Sequence, residues 1–425
     1  MLEINFIRQN IEKVKKACEE RGVEVDLEKV LEIDKQRREL IRKSEALRAS
    51  QKRLGRENLE EAKKIKAEFK KLESELVEKE TELKRLLYQI PNIPFDDVPR
   101  GKDEAENVVI RKWGKPRKFD FKPRDHLEIG EHLGIIDTKT AGKVAGTRFG
   151  YLKNQAALLE LALIRYAFDV LTSPKIIKKI ADSVEKGYAN KPFMPVIPPV
   201  MIRPEIYEKM ARLSEKDKDE RYYLPKDNLY LTGSAEHTLG PLHLEEVLEE
   251  KDLPLRYVGF STCFRREAGS YGKDTRGILR VHQFDKIEME SFSLPENSRK
   301  EQDFLVAIQE YLVQSLGIPY QVVYICTGDM GMPDARQIDI ECWLPGEGRY
   351  RETHTADLTT DYQSRRLGTK VRRKGKTEFV HMNDATVFAI GRTIIAILEN
   401  YQEKDGSVTV PKVLRKYLKF KTIKY

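Results

Sequence analysis

Ile33, Leu40, Leu47 and Leu54 recur at seven-residue spacing, and after Gly55 comes a second series: Ala62, Ile65, Phe69, Leu72, Leu76, Lys79, Leu83, Leu86 and Ile90. A seam with that period occupies one side of a helix and is stable only when another helix covers it. Gly55 suits the end of the first helix, and Asn58 with Glu61 forms a capping box that opens the second. So short a connector must return the chain antiparallel, as a hairpin. Arms of roughly 25 residues, at 1.5 Å each, extend about 40 Å. The hairpin is expected over about 27–90, within an N-terminal domain 1–103. Its last segment, Ile90 to Asp103 (IPNIPFDDVPRGKD), reads as a linker because three prolines and a glycine halt the helix. Beyond it, over 104–425, the pattern is α+β, with an apolar helix from Asn154 to Val170 and no repeat of fixed period.

A chain of 425 residues can bury a sizeable core in two or three domains. Charged residues make up 34%, yet the net charge is only +8, so the surface is rich in both Lys and Glu. Such a balance permits a polyanionic partner without establishing one. Cys18, Cys263, Cys326 and Cys342 lie far apart with no CxxC spacing, which argues against a disulfide framework or a zinc knuckle. No zinc is expected, and a reducing compartment is. No apolar run reaches membrane-spanning length, and the opening MLEINFIRQNIEKVKK lacks the apolar core of a signal peptide. The expectation is a cytosolic protein with no membrane partner.

Leu255 to Phe264 is aromatic and β-branched, as a strand would be. A Gly-rich, charged loop follows from Glu267 to Gly277. A second strand then alternates, with Arg280, His282, Phe284, Lys286 and Glu288 on one face and Val281, Ile287 and Met289 on the other. Arg265 and Glu267 close the first strand on a common side. These residue types suit a nucleotide: Arg for a phosphate, Phe for a flat base, Glu for an exocyclic amine. The run FRREAGSYGKDTRGILRVHQFDKIEME resembles the second signature motif of class II aminoacyl-tRNA synthetases, and its wording is similar to that of the seryl-tRNA synthetases, of bacterial type.

Four further segments extend that resemblance over essentially the whole chain. Gly187 to Val200, with its double proline, is similar to the family's first motif, used for dimer contact, so a homodimer is implied. LYLTGSAEHTL resembles the serine-binding loop, although locally Ser234 reads equally as an N-cap for a helix at His237–Val247. RYRETHT carries a glutamate that in the family holds magnesium and ATP phosphates with a hydroxyl three residues on. Strand parity puts Glu352 and Thr355 on opposite faces, so the strand must bend or end there. FAIGRTIIAILENY looks like the third motif, a strand ending at Gly391 with Arg392 opening a helix. An Arg in a first helical turn opposes the dipole, and a triphosphate would justify it.

The resemblance implies an ATP- and Mg²⁺-dependent ligase that activates L-serine and charges tRNA(Ser). It implies serine contacts from Ser234, Ala235, Glu236, Arg265, Glu288, Asp384 and Thr386. It implies ATP contacts from Arg265, Arg266, Glu267, Val281, Phe284, Glu352, Thr353, His354, Thr355 and Arg392, with Mg²⁺ on Glu352 and Thr355. In the family the N-terminal arm grips the long variable arm of the tRNA. The basic strip Arg37, Arg38, Arg42, Lys43, Arg48, Lys52 and Arg53 is the implied contact, since phosphate contacts supply most non-specific affinity. Two departures bear on specificity: Asp384-Ala385-Thr386-Val387 replaces the usual Asn-Gly-Ser-Gly, and Thr353 to Asp357 replaces a run of small residues. An amino-acid:carrier-protein ligase would lack the arm, and a non-catalytic RNA-binding relative would have lost Arg265, Glu267, Glu288 or Arg392; this chain keeps them all.

Overall fold

The heptad seam becomes the covered side of two helices, α1 (Leu27–Arg53) and α2 (Leu59–Leu87), in a computed structural model that describes residues 1–53, 59–268 and 276–425. Ile33, Leu83, Leu86 and Ile90 are buried, while Leu40, Leu47, Ile65, Phe69, Leu72 and Leu76 are half-covered. Ion pairs cross the seam at Arg37–Glu80 (3.1 Å) and Arg48–Glu73 (3.5 Å). The partner's number falls as the first rises, as antiparallel arms require. Leu54, Gly55 and Asn58 lie outside the described residues, and so does the side chain of Arg53.

The chain divides into two compact units, Met1–Pro94 and Phe95–Tyr425. That division falls before the expected boundary at Asp103. The second half of the proline-rich segment is woven into the second unit. The Phe95 amide donates to Ala335 O (3.0 Å), and the Thr327 and Gly328 amides donate to Pro99 O and Gly101 O (both 2.9 Å). Prolines stop a helix without ending a domain, and Phe95 packs against the second unit's apolar core.

The second unit is built on eight strands: β1 (Val108–Trp113), β2 (Met194–Val196), β3 (Leu255–Phe264), β4 (Gln283–Ser293), β5 (Tyr320–Tyr324), β6 (Arg336–Leu344), β7 (Arg349–Thr360) and β8 (His381–Ala389). Their order across the sheet is β1-β5-β6-β7-β8-β4-β3-β2, antiparallel except where β2 runs parallel to β3. The α+β expectation holds. The first expected strand matches β3. The second begins at Gln283, so Arg280 to His282 still belong to the approach.

Three helices cover one face: α3 (Asn154–Leu171), α4 (Ser298–Leu316) and α5 (Ile390–Asn400). Leu159, Leu163, Phe304, Ile308, Leu312, Ile394 and Ile397 are fully buried there. Of four register shifts in the sheet, two bear on the site. Between β6 and β7 the pairing steps from Ile340↔His354 to Glu341↔Glu352, leaving Thr353 as the extra residue. Between β4 and β8 it steps from Ile287↔Phe388 to Glu288↔Thr386, leaving Val387. Gln309 of α4 donates to Thr355 O (2.7 Å) and Thr386 O (2.8 Å), satisfying carbonyls beside both irregularities.

A buried ion pair fastens α4 to the sheet edge. Arg256 of β3 meets Glu301 of α4 through two bonds (2.6 and 2.8 Å), and its guanidinium lies 4.2 Å from the Phe304 ring. Its remaining nitrogen donates to Ala189 O and Lys191 O (both 3.0 Å), while Ser291 and Tyr188 bond Glu301. Arg256→Met strands the carboxylate and should destabilise the unit by about 3–5 kcal/mol in urea unfolding. Arg256→Met with Glu301→Leu should cost clearly less. Equal losses in the single and double variants would contradict the assignment.

Candidate active site

The uncovered face of the sheet holds a cavity of about 250 Å³, and two chemically distinct ends meet in it. At one end Arg265, just beyond β3, donates from Nε to Gly233 O (3.1 Å) and lays its guanidinium 5.3 Å from the Phe284 ring. Glu267 pairs with Arg280 (2.9 Å), and the chain turns there through a left-handed φ of +53°. Opposite stands Arg392 in the first turn of α5, which no side chain caps. Arg392 bonds both Glu352 O (2.9 Å) and the Glu352 carboxylate (3.1 Å). Burial raises the pKa of Glu352, but Arg392, Arg265 and Lys286 outweigh it and hold the carboxyl below its ordinary range.

The Thr353 bulge answers the parity problem. One extra residue brings Glu352 and Thr355 to the same side, and both line the cavity within an unbroken strand. Thr355 donates to Asp339 (2.5 Å). Two oxygen donors of this kind suit Mg²⁺, which keeps most of its shell for water and phosphate. No group of three or more His, Cys, Asp or Glu able to hold a metal occurs among the described residues.

The other end is a buried field of charge. Asp357 of β7, Asp384 of β8 and Glu290 of β4 stand directly opposite one another across three adjacent strands. Arg212 lies over them, 2.8 Å from Glu236, 3.1 Å from Asp357, 3.6 Å from Asp384 and 3.9 Å from Asp334. Glu288 pairs with Lys286 and accepts from Ser234 and Thr386, each at 3.2 Å. Burial pushes the Glu288 carboxyl up to about 7 against the pull of Lys286. Burial would also lower the Lys286 ammonium, but Glu288 and Glu236 hold it above its ordinary value. Burial raises Glu236 too, yet Arg212, His237 and Lys286 keep it ionised.

Among the expected site residues, Glu236, Arg265, Glu267, Val281, Phe284, Glu352, Thr353, Thr355, Thr386 and Arg392 come together on the cavity wall. Ser234, Glu288 and Asp384 sit one layer beneath it, reaching the wall through Lys286, Thr386 and Arg212. Three other expected residues lie off the cavity wall. The Ala235 side chain is buried in an apolar cluster with Met210 and Leu239. Arg266 is exposed, its guanidinium 5.5 Å from the Tyr222 ring, and it does not line the cavity. His354 is also off the wall: its ring lies 6.0 Å from Phe388, and burial drives its pKa down to about 3. The alternative N-cap role for Ser234 also fails, because the helix spans only Glu236–Leu239, Ser234 does not cap it and Val247 begins a strand.

Lys286, Arg212, Arg280 and Asp357 were not among the expected site residues. The alternation that singled out Phe284 and Glu288 places Lys286 on their face, so that signal was present. Arg212 has none: it follows a short helix, Pro204–Lys209, in a charge-rich stretch with no periodicity.

A cavity that sets arginines and a stacking ring beside buried carboxylates, on an antiparallel sheet, defines a class II synthetase core. Residues 220–401 match the family model "tRNA synthetase class II core domain (G, H, P, S and T)", and residues 1–94 match "Seryl-tRNA synthetase N-terminal domain". The serine–tRNA ligase of Thermodesulfovibrio yellowstonii is 42% identical over 98% of this chain and 99% of its own. The seryl-tRNA synthetase of Pyrococcus horikoshii, solved with ATP, superposes with a TM-score of 0.88 at 40% identity, covering 100% of this chain and 99% of that one. The cytoplasmic serine–tRNA ligase of Naegleria fowleri, solved with AMP, gives 0.87 at 34% identity over 100% and 99%. The chain belongs to the seryl-tRNA synthetases.

On the opposite face of β4 from Phe284, Asp285 neighbours Glu160 of α3, whose pKa is pushed up to about 8 by burial and by that second carboxylate. A pKa raised above its unfolded value of 4.5 gives stability that is complete below 4.5 and lost as pH rises through 8. Glu160→Gln stays neutral and escapes that loss. Its stability relative to the parent should therefore improve between pH 5 and pH 9, by about 1–2 kcal/mol in melting experiments. A difference that does not change with pH would contradict this.

Proposed function

We propose that the cavity joins L-serine to ATP as seryl-adenylate and then passes serine to the 3′ end of tRNA(Ser). The single observation that carries this reading is that Arg265, Phe284 and Arg392 share one small cavity with Glu236 and Thr386. The first three suit a triphosphate and its base, and the last two suit an ammonium and a hydroxyl. Phe284 and Arg392 would hold the adenine between them, with Glu267 accepting from its amine. Arg265 would bridge the α-phosphate and the serine carboxylate, which attacks it as pyrophosphate leaves. Charge develops on phosphate oxygens, so positioned cations supply the catalysis and no covalent enzyme intermediate is needed. Glu352 and Thr355 would hold Mg²⁺, which neutralises phosphate charge when bound.

At the other end Glu236 would take the α-ammonium. The hydroxyl of serine would meet the group formed by Thr386, Ser234 and the Glu288 carboxyl beneath them. A site built to bond a hydroxyl rejects its absence by roughly 10⁴-fold or more, which would exclude alanine without an editing domain.

The helical hairpin is the proposed tRNA contact. Arg42, Lys43 and Lys52 are exposed along it, whereas Arg37, Arg38 and Arg48 are engaged with Glu80, Asp34 and Glu73 and would have to exchange partners. A homodimer is supported by exposed apolar residues: Met194 of β2 and Ile197 beyond it in the first-motif region, and Leu158 and Leu161 of α3. A cytosolic location agrees with four buried free cysteines; among the described residues no helix is long and apolar enough to cross a membrane.

Arg265→Ala or Arg392→Ala should lower serine-dependent ATP–pyrophosphate exchange by about 10²–10³-fold while circular dichroism stays unchanged. Near-normal exchange in either folded variant would remove this reading of the cavity. Deleting 27–90 and rejoining the chain should leave exchange largely intact but abolish tRNA charging. In the full chain, charging should weaken steeply with salt as phosphate contacts release counterions. An armless protein that charges tRNA normally would show the hairpin to be structural only.

A further inference from the structure

Arg212 has no part in the scheme above, yet it makes more ionic contacts than any side chain discussed so far. It lines the cavity beside Glu236 and Thr386, and its guanidinium touches carboxylates from three separate places in the chain. Glu236 pairs with it on the wall, Asp357 and Asp384 rise from adjacent strands beneath it, and Asp334 stands farther off. Asp384 and Thr386 are two residues apart on β8 and so share a face. The carboxylates that Arg212 covers are therefore next to the hydroxyl-reading group.

Left uncovered, such a row would select for positive charge. Carboxylates buried in pairs either take up protons or recruit a cation. An amino acid whose side chain carries a short ammonium, isosteric with serine, would present that cation where Asp384 and Asp357 could meet it. Glu290 stands in the same row, and neither of its oxygens has a hydrogen-bond partner in the structure. The chain instead supplies its own cation. A guanidinium spreads its charge over several donors and stays protonated when buried, so it can serve two strands at once.

We infer that Arg212 is a specificity-determining residue: it is the internal counter-ion of Asp357 and Asp384, and by occupying them it denies a cationic side chain its partner and leaves the pocket to serine. This rests on the reading of the cavity as an amino-acid activation site with the side chain directed at Thr386. The rejection operates by competition for charge. It adds to the hydroxyl test, because a diamine bears a group that can also donate to Glu288 and hydrogen bonding alone would discriminate poorly.

The test measures kcat/KM in ATP–pyrophosphate exchange for L-serine and for L-2,3-diaminopropionate on the full-length protein. Arg212→Met should raise the diamine-to-serine ratio roughly a hundredfold, the effect of opening a buried carboxylate pair to a cation. Arg212→Lys, which keeps the charge, should retain the preference for serine. Adding Asp384→Asn to Arg212→Met should lower the ratio again by about tenfold or more, because the vacated carboxylate is gone. Where Arg212→Met fails to fold, Arg212→Gln takes its place and carries the same expectation. A folded, active Arg212 variant with an unchanged ratio would overturn the inference, and would mean that the carboxylates take up protons instead. If the unsubstituted protein shows no serine-dependent exchange, it is the activation reading that fails.

Discussion

Burial of opposed charges on the open face of one sheet is the constraint from which the rest of this site follows. Glu236, Glu288, Asp357 and Asp384 are all buried there, and a carboxylate removed from water is costly unless a cation or a donor meets it. Arg212 and Lys286 answer that demand at one end of the cavity, and Arg265 and Arg392 face Glu352 at the other. The two ends are therefore tuned in opposite senses. On the proposed reading, one would offer arginines to phosphate oxygens, and the other would offer carboxyls to an ammonium and a hydroxyl. Two anionic reacting groups, a carboxylate and a phosphate, would then meet between those ends, with Arg265 placed to offset both.

The back of the sheet makes that arrangement affordable in structural terms. Helices α3, α4 and α5 bury an apolar face, so β4, β7 and β8 can devote residues of the other face to the cavity. The bulges at Thr353 and Val387 then re-aim individual side chains, and Gln309 of α4 satisfies carbonyls beside both. Arg256 and Glu301 hold α4 against the sheet edge by a comparable device: a buried pair with every neighbour hydrogen-bonded. Rigid backing and locally irregular strands are two halves of one solution.

Periodicity carried much of this in the sequence. The seven-residue seam disclosed the hairpin, and alternation along β4 set Phe284 and Glu288 on a common face. The parity conflict between Glu352 and Thr355 signalled a bend whose form, a bulge at Thr353, only the register reveals. Local pattern failed where three-dimensional neighbours decide. His354 was grouped with Glu352 by adjacency, but the bulge that aligns Glu352 with Thr355 leaves His354 against Phe388. Arg212 was invisible because two of its partners, Asp357 and Asp384, lie over a hundred positions later. The domain boundary was placed too late because Phe95 to Gly101 looks like linker while its backbone bonds into the second unit.

On the proposed reading, the buried Glu288, with Ser234 and Thr386 bonded to it, meets a hydroxyl on the side chain of the activated amino acid. The most direct measurement is ATP–pyrophosphate exchange by the full-length protein with each of the twenty amino acids in turn. The account expects serine to support exchange, with alanine lower by roughly 10⁴-fold because it leaves buried polar groups unpaired. Exchange with alanine within tenfold of serine, or faster exchange with any other amino acid, would contradict it.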